Sequence, residues 1–213
     1  MPEQKRKIYF LIFDDVEILD VTGPYDVFSM TNVSQGRGVF ELLTVSPDGK
    51  SCRALHGMTI AADFSVANCP ITKDDMLVIP GGRFDLMPEF DKKYPDTVKW
   101  IAGQCDNFAV ISICLGALVL AQANILDELK VTTHHGALGT LKQQAPNAHV
   151  IPGVRYVDNG RTSNVFSSAG VTAGIDLAFY LVRRMLGREA AEKTALLMEY
   201  NGTSNWLVEQ ELG

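Results

Sequence analysis

The 213-residue sequence predicts an α/β protein, a three-layer sandwich whose mostly parallel central sheet carries helices on both faces. Three observations predict it. Short runs rich in β-branched and aromatic residues ("KIYFLIF" at 7–13, "DMLVIPGG" at 75–82, "FAVISI" at 108–113) lack polar alternation, as strands buried on both faces do. Stretches with helical spacing lie between them, and alternation of strand and helix builds parallel sheets. Hydrophobic residues make up 46% of the chain and charged residues 21%. At this length about 70% of the unfolded surface can be buried, so a core needs no disulfide or metal. One domain over 1–213 is expected.

After the strand at 7–13, "DVTGPYDVFSM" (20–30) reads as a helix, with Asp20 or Thr22 as N-cap and Pro24 in the tolerated first turn. A strand follows at 39–46, then weaker extended segments at 53–62 around a glycine turn. The strand at 75–82 ends in Pro-Gly-Gly, and "DTVKWIAGQC" (96–105) has helical spacing. The strand at 108–113 runs straight into the helix "LGALVLAQANIL". In 130–146 a short strand leads to a helix that Pro146 stops. Residues 149–168 hold a hairpin whose "DNG" favours a two-residue type I′ turn. Helices at 170–187, ended by Gly187, and at 188–200 complete the chain.

The net charge is −6 and no Lys/Arg block exceeds "KRK" at 5–7, which argues against a nucleic-acid or anionic-membrane partner. The first apolar run meets Asp14 and Asp15 too soon for a signal peptide or a spanning helix, so a cytoplasmic protein is expected. Cysteines 52, 69, 105 and 114 show neither C-x-x-C nor zinc-site spacing and are expected as free thiols.

Sites in such sheets lie outside the carboxyl ends of the strands. That rule gathers Asp14 to Asp20, Gly81-Gly82 and Cys114 at one rim. Cys114 falls between a buried strand and a helix, a corner that resembles the nucleophile elbow of α/β hydrolases. The unpaired N–H groups and partial positive charge of a helix start are expected to lower its pKa and to stabilise an adjacent anion. Gly116 lets the helix approach closely, while Gly81 and Gly82 leave room for a ligand and offer an N–H. The proton handler is open at this level. Asp20 reads locally as a helix cap, Glu17 as a solvated loop residue, and His134 or His135 as a group facing the rim.

Four segments resemble the ThiJ/PfpI superfamily: "DDVEILDVTGPYDVF" (14–28), "LVIPGG" (77–82), "ISICLGALVLAQANIL" (111–126) with "TTHH" (132–135), and "SSAGVTAGIDLAFYLV" (167–182). In that order and spacing they are specific to it, and they are most similar to its isocyanide hydratase branch and to the amidotransferase-like domains of AraC-type regulators. The resemblance implies a flavodoxin-like, class I glutamine amidotransferase-like fold, a homodimer, a small-molecule substrate and no metal or organic cofactor. It implies Cys114 as nucleophile and Asp20 as its acidic partner, with Gly81, Gly82, Leu115 and His134 around the substrate. Leu115 departs from the pattern, since the branch carries a small hydroxyl residue there and peptidase-like members a histidine. The expected activity is isocyanide hydration to an N-substituted formamide. The alternatives are an oxidation sensor or ligand-binding module, and a glyoxalase- or amidase-type hydrolase.

Overall fold

The computed structural model describes residues 5–103, 108–160 and 163–201. Along the chain run β1 (Arg6–Leu11), α1 (Ile18–Ser34), β2 (Phe40–Ser46), β3 (Cys52–Arg53), β4 (Thr59–Ile60), β5 (Phe64–Ser65) and β6 (Met76–Ile79). They are followed by α2 (Phe90–Lys93), α3 (Pro95–Ala102), β7 (Ala109–Ile113), α4 (Gly116–Gln122), β8 (Lys130–Val131), α5 (Leu138–Gln144) and β9 (His149–Val150). Then come β10 (Tyr156–Asp158), β11 (Val165–Ser168), α6 (Ala173–Leu186) and α7 (Arg188–Leu197).

Seven strands form the central sheet in the order β10-β11-β7-β6-β1-β2-β5. Every neighbouring pair is parallel except β10 with β11. The central strands are covered on both faces, and Ile8, Tyr9, Phe10 and Leu11 of β1 are fully buried. One layer is α1 packed with α6 and α7; the other is α4 packed with α2, α3 and α5. This is the expected sandwich.

The chain leaves β1 through α1 towards β2, and leaves β6 through α2 and α3 towards β7 on the opposite side. The connections therefore diverge between β1 and β6, the switch point where such sheets open a crevice. Gly116 begins α4 against the end of β6, and a Cβ there would come within 2.1 Å of the Ile79 carbonyl oxygen. The close approach expected of that glycine is thus a backbone-to-backbone contact.

Three local expectations are corrected. The N-cap of α1 is Glu17, whose side chain accepts from the Leu19 N–H, rather than Asp20 or Thr22. Starting the helix at Ile18 puts Pro24 in its interior, where proline offers no N–H to the Asp20 carbonyl. The "DNG" segment makes no two-residue turn, since β10 ends at Asp158 and β11 begins at Val165. Neither Asn159 nor Gly160 takes the positive φ a type I′ turn needs. The Asn159 amide instead bridges to β8, accepting from the Lys130 N–H at 3.1 Å and donating to the Lys130 carbonyl at 2.7 Å. Gly187 does end α6, at φ 91°. Cys105, expected to close the helix at 96–105, lies outside the described residues; Cys52, Cys69 and Cys114 are free thiols. No described helix is long and apolar enough to cross a membrane.

Gly116→Ala forces α4 away from the Ile79 carbonyl, and overpacking of this kind costs about 2–3 kcal/mol. The urea midpoint of the variant is expected to fall accordingly; an unchanged midpoint would mean that α4 can back away freely.

Candidate active site

Cys114 sits one residue past the end of β7 and two before α4, with φ 56°. For a residue with a Cβ this left-handed conformation costs roughly 1–3 kcal/mol, so the surroundings must hold it. They do so from two sides. The Cys114 N–H donates to the Ala169 carbonyl at 3.2 Å, extending the β7–β11 pairing. The Thr133 hydroxyl donates to the Cys114 carbonyl at 2.6 Å. The elbow expected from the strand-to-helix corner is therefore present.

Asp20 occupies the third position of α1 and is fully buried. Its Oδ2 accepts the Gly81 N–H at 2.8 Å. Its Oδ1 is buried with no hydrogen-bond partner, and the Cys114 thiol lies close enough to the carboxyl for each group to shift the other's ionisation. Burial, more than any other influence, pushes the Asp20 carboxyl up to about 7; the Gly81 N–H pulls it down and the Glu17 charge pushes it up. A carboxyl of this kind exchanges its proton near neutrality.

The sulfur departs from expectation. Cys114 is 4% exposed, and burial followed by the charge of Asp20 pushes its thiol up to about 12. The N–H groups of Val171 and Leu115 point at the sulfur and pull the other way, without prevailing. The elbow alone does not make a thiolate; burial, and after it the acidic partner, set the ionisation of the sulfur.

The other candidate residues divide. Gly81 does not line the cavity; its missing side chain lets Asp20 and Leu115 close in, since a Cβ would lie 2.7 Å from the Leu115 nitrogen and 2.9 Å from Asp20 Oδ2. The Gly81 N–H is therefore committed to Asp20 and is not free for a ligand. Gly82 does line the cavity, and its N–H has no acceptor among the described residues. Leu115 buries its side chain and contributes only its N–H. His134 lines the cavity with Cys114, its Nδ1 accepting from the Gly136 N–H at 3.1 Å. Burial lowers its pKa, and its ring meets Phe84 edge-on at 5.1 Å and lies 4.3 Å from His135. His135 itself is exposed and does not line the cavity.

The cavity measures about 350 Å³, and Leu55, Phe84 and Val171 supply its apolar wall. A larger cavity of about 500 Å³, outside the ends of β1 and β2, does not reach the sulfur. Three contributors have roles that the sequence does not reveal. Glu17, a rival to Asp20 as proton handler whose local pattern reads as a solvated loop residue, caps α1 and lines the cavity. Val171 carries φ 47°, rare for a β-branched residue, and offers its N–H to the sulfur. Thr133 pins the elbow. The "SSAGVTAG" and "TTHH" segments flagged the last two, but nothing in their spacing says which atoms turn inward. Among the described residues no group of three or more His, Cys, Asp and Glu side chains is placed to hold a metal ion.

Residues 6–184 match the DJ-1/PfpI family, and the chain belongs to that family. An isonitrile hydratase of Pseudomonas putida is 32% identical over 198 residues, covering 91% of this chain and 78% of that protein. The HTH-type transcriptional regulator GbdR of Pseudomonas aeruginosa (strain UCBPP-PA14) is 24% identical over 208 residues. That match covers 96% of this chain and 54% of the regulator, so the chain spans about half the regulator's length. A ThiJ/PfpI family protein from Pseudomonas syringae has the same fold, with a TM-score of 0.79 at 23% identity over 94% of this chain and 77% of that one.

Asp20 ionises near pH 7 when folded and near 4 when unfolded. The folded state therefore holds the extra proton, so the stability Asp20 contributes is fully present below about pH 4 and is lost as pH rises through about 7. Asp20→Asn removes this loss. Between pH 4 and pH 8 the variant is expected to gain on the parent chain by on the order of 3 kcal/mol in denaturant titrations; parallel pH curves would contradict a raised carboxyl.

Proposed function

We propose that the chain is a cysteine-dependent small-molecule enzyme of the isocyanide hydratase type. The observation that carries this reading is the unpartnered Oδ1 of a buried carboxyl facing a buried thiol at a strained elbow. Such a pair holds one proton between about pH 7 and pH 12, and that singly protonated pair is the working form. As the sulfur attacks the terminal isocyanide carbon, Asp20 takes the thiol proton and passes it to that carbon, giving a thioimidate. Asp20, again a carboxylate, then draws a proton from a water that adds to the same carbon and passes that proton to the substrate nitrogen. The C–S bond breaks as the new hydroxyl becomes the formyl carbonyl, the hydroxyl proton returns to the sulfur, and the N-substituted formamide leaves. The N–H groups of Leu115 and Val171 support the charged sulfur at the start and end of the cycle. The free N–H of Gly82 borders the same space. The similarity to isonitrile hydratase supports the choice of substrate.

A second reading, a ligand-binding module without turnover, draws on the similarity to a transcriptional regulator and on the high thiol pKa. The two separate on chemistry. Incubation with an alkyl isocyanide is expected to yield formamide with the parent chain and none with Cys114→Ala. Asp20→Asn is expected to slow turnover by ~10²–10⁴. Absence of product at high enzyme concentration would leave the binding module.

The working pair needs Asp20 deprotonated before sulfur attack. The value of kcat/KM is therefore expected to fall as pH drops below about 7 and to stay flat above it. A profile that instead declines on the alkaline side would assign the carboxyl the opposite protonation state.

A further inference from the structure

We propose that the Cys114 cavity selects molecules that carry a positively charged group, and that Glu17 is the residue that selects it. This rests on the assignment of that cavity as the substrate site and names the class of molecule it takes: a small apolar body ending in an ammonium or quaternary ammonium group.

The charges around the cavity are unevenly committed. Arg83 is the cation among the lining residues, and its guanidinium is held by Asp85 Oδ1 at 2.5 Å and by Asp15 Oδ2 at 3.0 Å. Asp85 is occupied by the same pair. Glu17 is the remaining carboxylate on the wall, and among the described residues no cation pairs with it. Among the described residues the one hydrogen bond of its carboxylate is the long 3.5 Å contact from the Leu19 N–H. Arg53 and His56 flank Leu55 but do not line the cavity. His134 accepts the Gly136 N–H on Nδ1, and burial disfavours its charged form. The wall is otherwise apolar, and Phe84, 54% exposed, presents an aromatic ring.

An entering anion meets Glu17 and no free cation. A neutral molecule gains only apolar contact. A cation gains the Glu17 carboxylate and an aromatic ring, two partners that suit an ammonium group with weak hydration.

The test labels the sulfur directly and needs no turnover. The full chain is treated with two methanethiosulfonates of similar size, one ending in trimethylammonium and one in sulfonate, and the Cys114 peptide is followed by mass spectrometry. Each rate is normalised to the same reagent's rate with a small free thiol. At low salt the cationic reagent is expected to label Cys114 about tenfold faster than the anionic one. Glu17→Gln keeps the oxygen that caps α1 and is expected to bring the ratio within about threefold of unity. Raising the salt should compress the ratio in the parent chain. Equal normalised rates, no labelling of Cys114 by the cationic reagent, or a ratio that Glu17→Gln leaves intact each overturn the proposal. Formamide production is scored separately, so loss of the hydration chemistry with the labelling ratio intact removes the substrate reaction and leaves the charge selection standing.

Discussion

A carboxyl group and a thiol share one dry corner of this molecule, and most of the site is arranged around that fact. Asp20 is fully buried, with one backbone N–H to steady Oδ2, an unpartnered Oδ1, and the Cys114 thiol beside the carboxyl. Gly81 is bare because any Cβ would strike both the carboxyl and the Leu115 nitrogen. The helix that carries Asp20 is capped by Glu17, which frees Asp20 from the capping role its residue type suits. Its third position then lies at the carboxyl-end rim of the sheet, beside Cys114.

The sheet supplies the rigidity. β1, β6 and β7 lie side by side, so the loops after them bring Asp20, Gly81-Gly82 and Cys114 together at a topological switch. Cys114 and Val171 are both strained, and at Cys114 the strain is held by the β7–β11 pairing, the Thr133 hydroxyl and the close seating of α4 on β6. Each strained residue turns an N–H or a side chain toward the same point, which relaxed strand or helix geometry would not do.

Relative magnitudes explain the sulfur. The helix after Cys114 spans only seven residues, and a helix terminus contributes about 0.3–1 kcal/mol to a nearby charge in ordinary settings. Burial of a titratable group can shift it by up to about 3–5 pKa units, each worth about 1.4 kcal/mol. Desolvation therefore wins at Cys114, and the thiol depends on Asp20 for its proton transfer rather than on the helix for its ionisation. Electrostatics reappear at the cavity wall, where Glu17 stands without a counter-ion while Arg83 is shared by two aspartates.

The order of strands and helices, the rim on which the site lies and the elbow at Cys114 could be read from residues alone. Unbroken β-branched runs can only be buried on both faces, and a cysteine at a strand-to-helix junction has one place to go. Local resemblance also pointed to Asp20, against its more common use as a cap. Helix α1 begins at Ile18 because Glu17 caps it, and the hairpin loop lengthens because the Asn159 amide binds Lys130; both depend on partners distant in space or on a choice among nearby caps. The direction of the thiol's shift, the committed N–H of Gly81, the inward N–H of Val171 and the solitary charge of Glu17 were decided only by the tertiary structure. A sequence specifies which groups are present, but solvation and pairing are properties of the space between segments far apart in the chain, and that space exists only after folding.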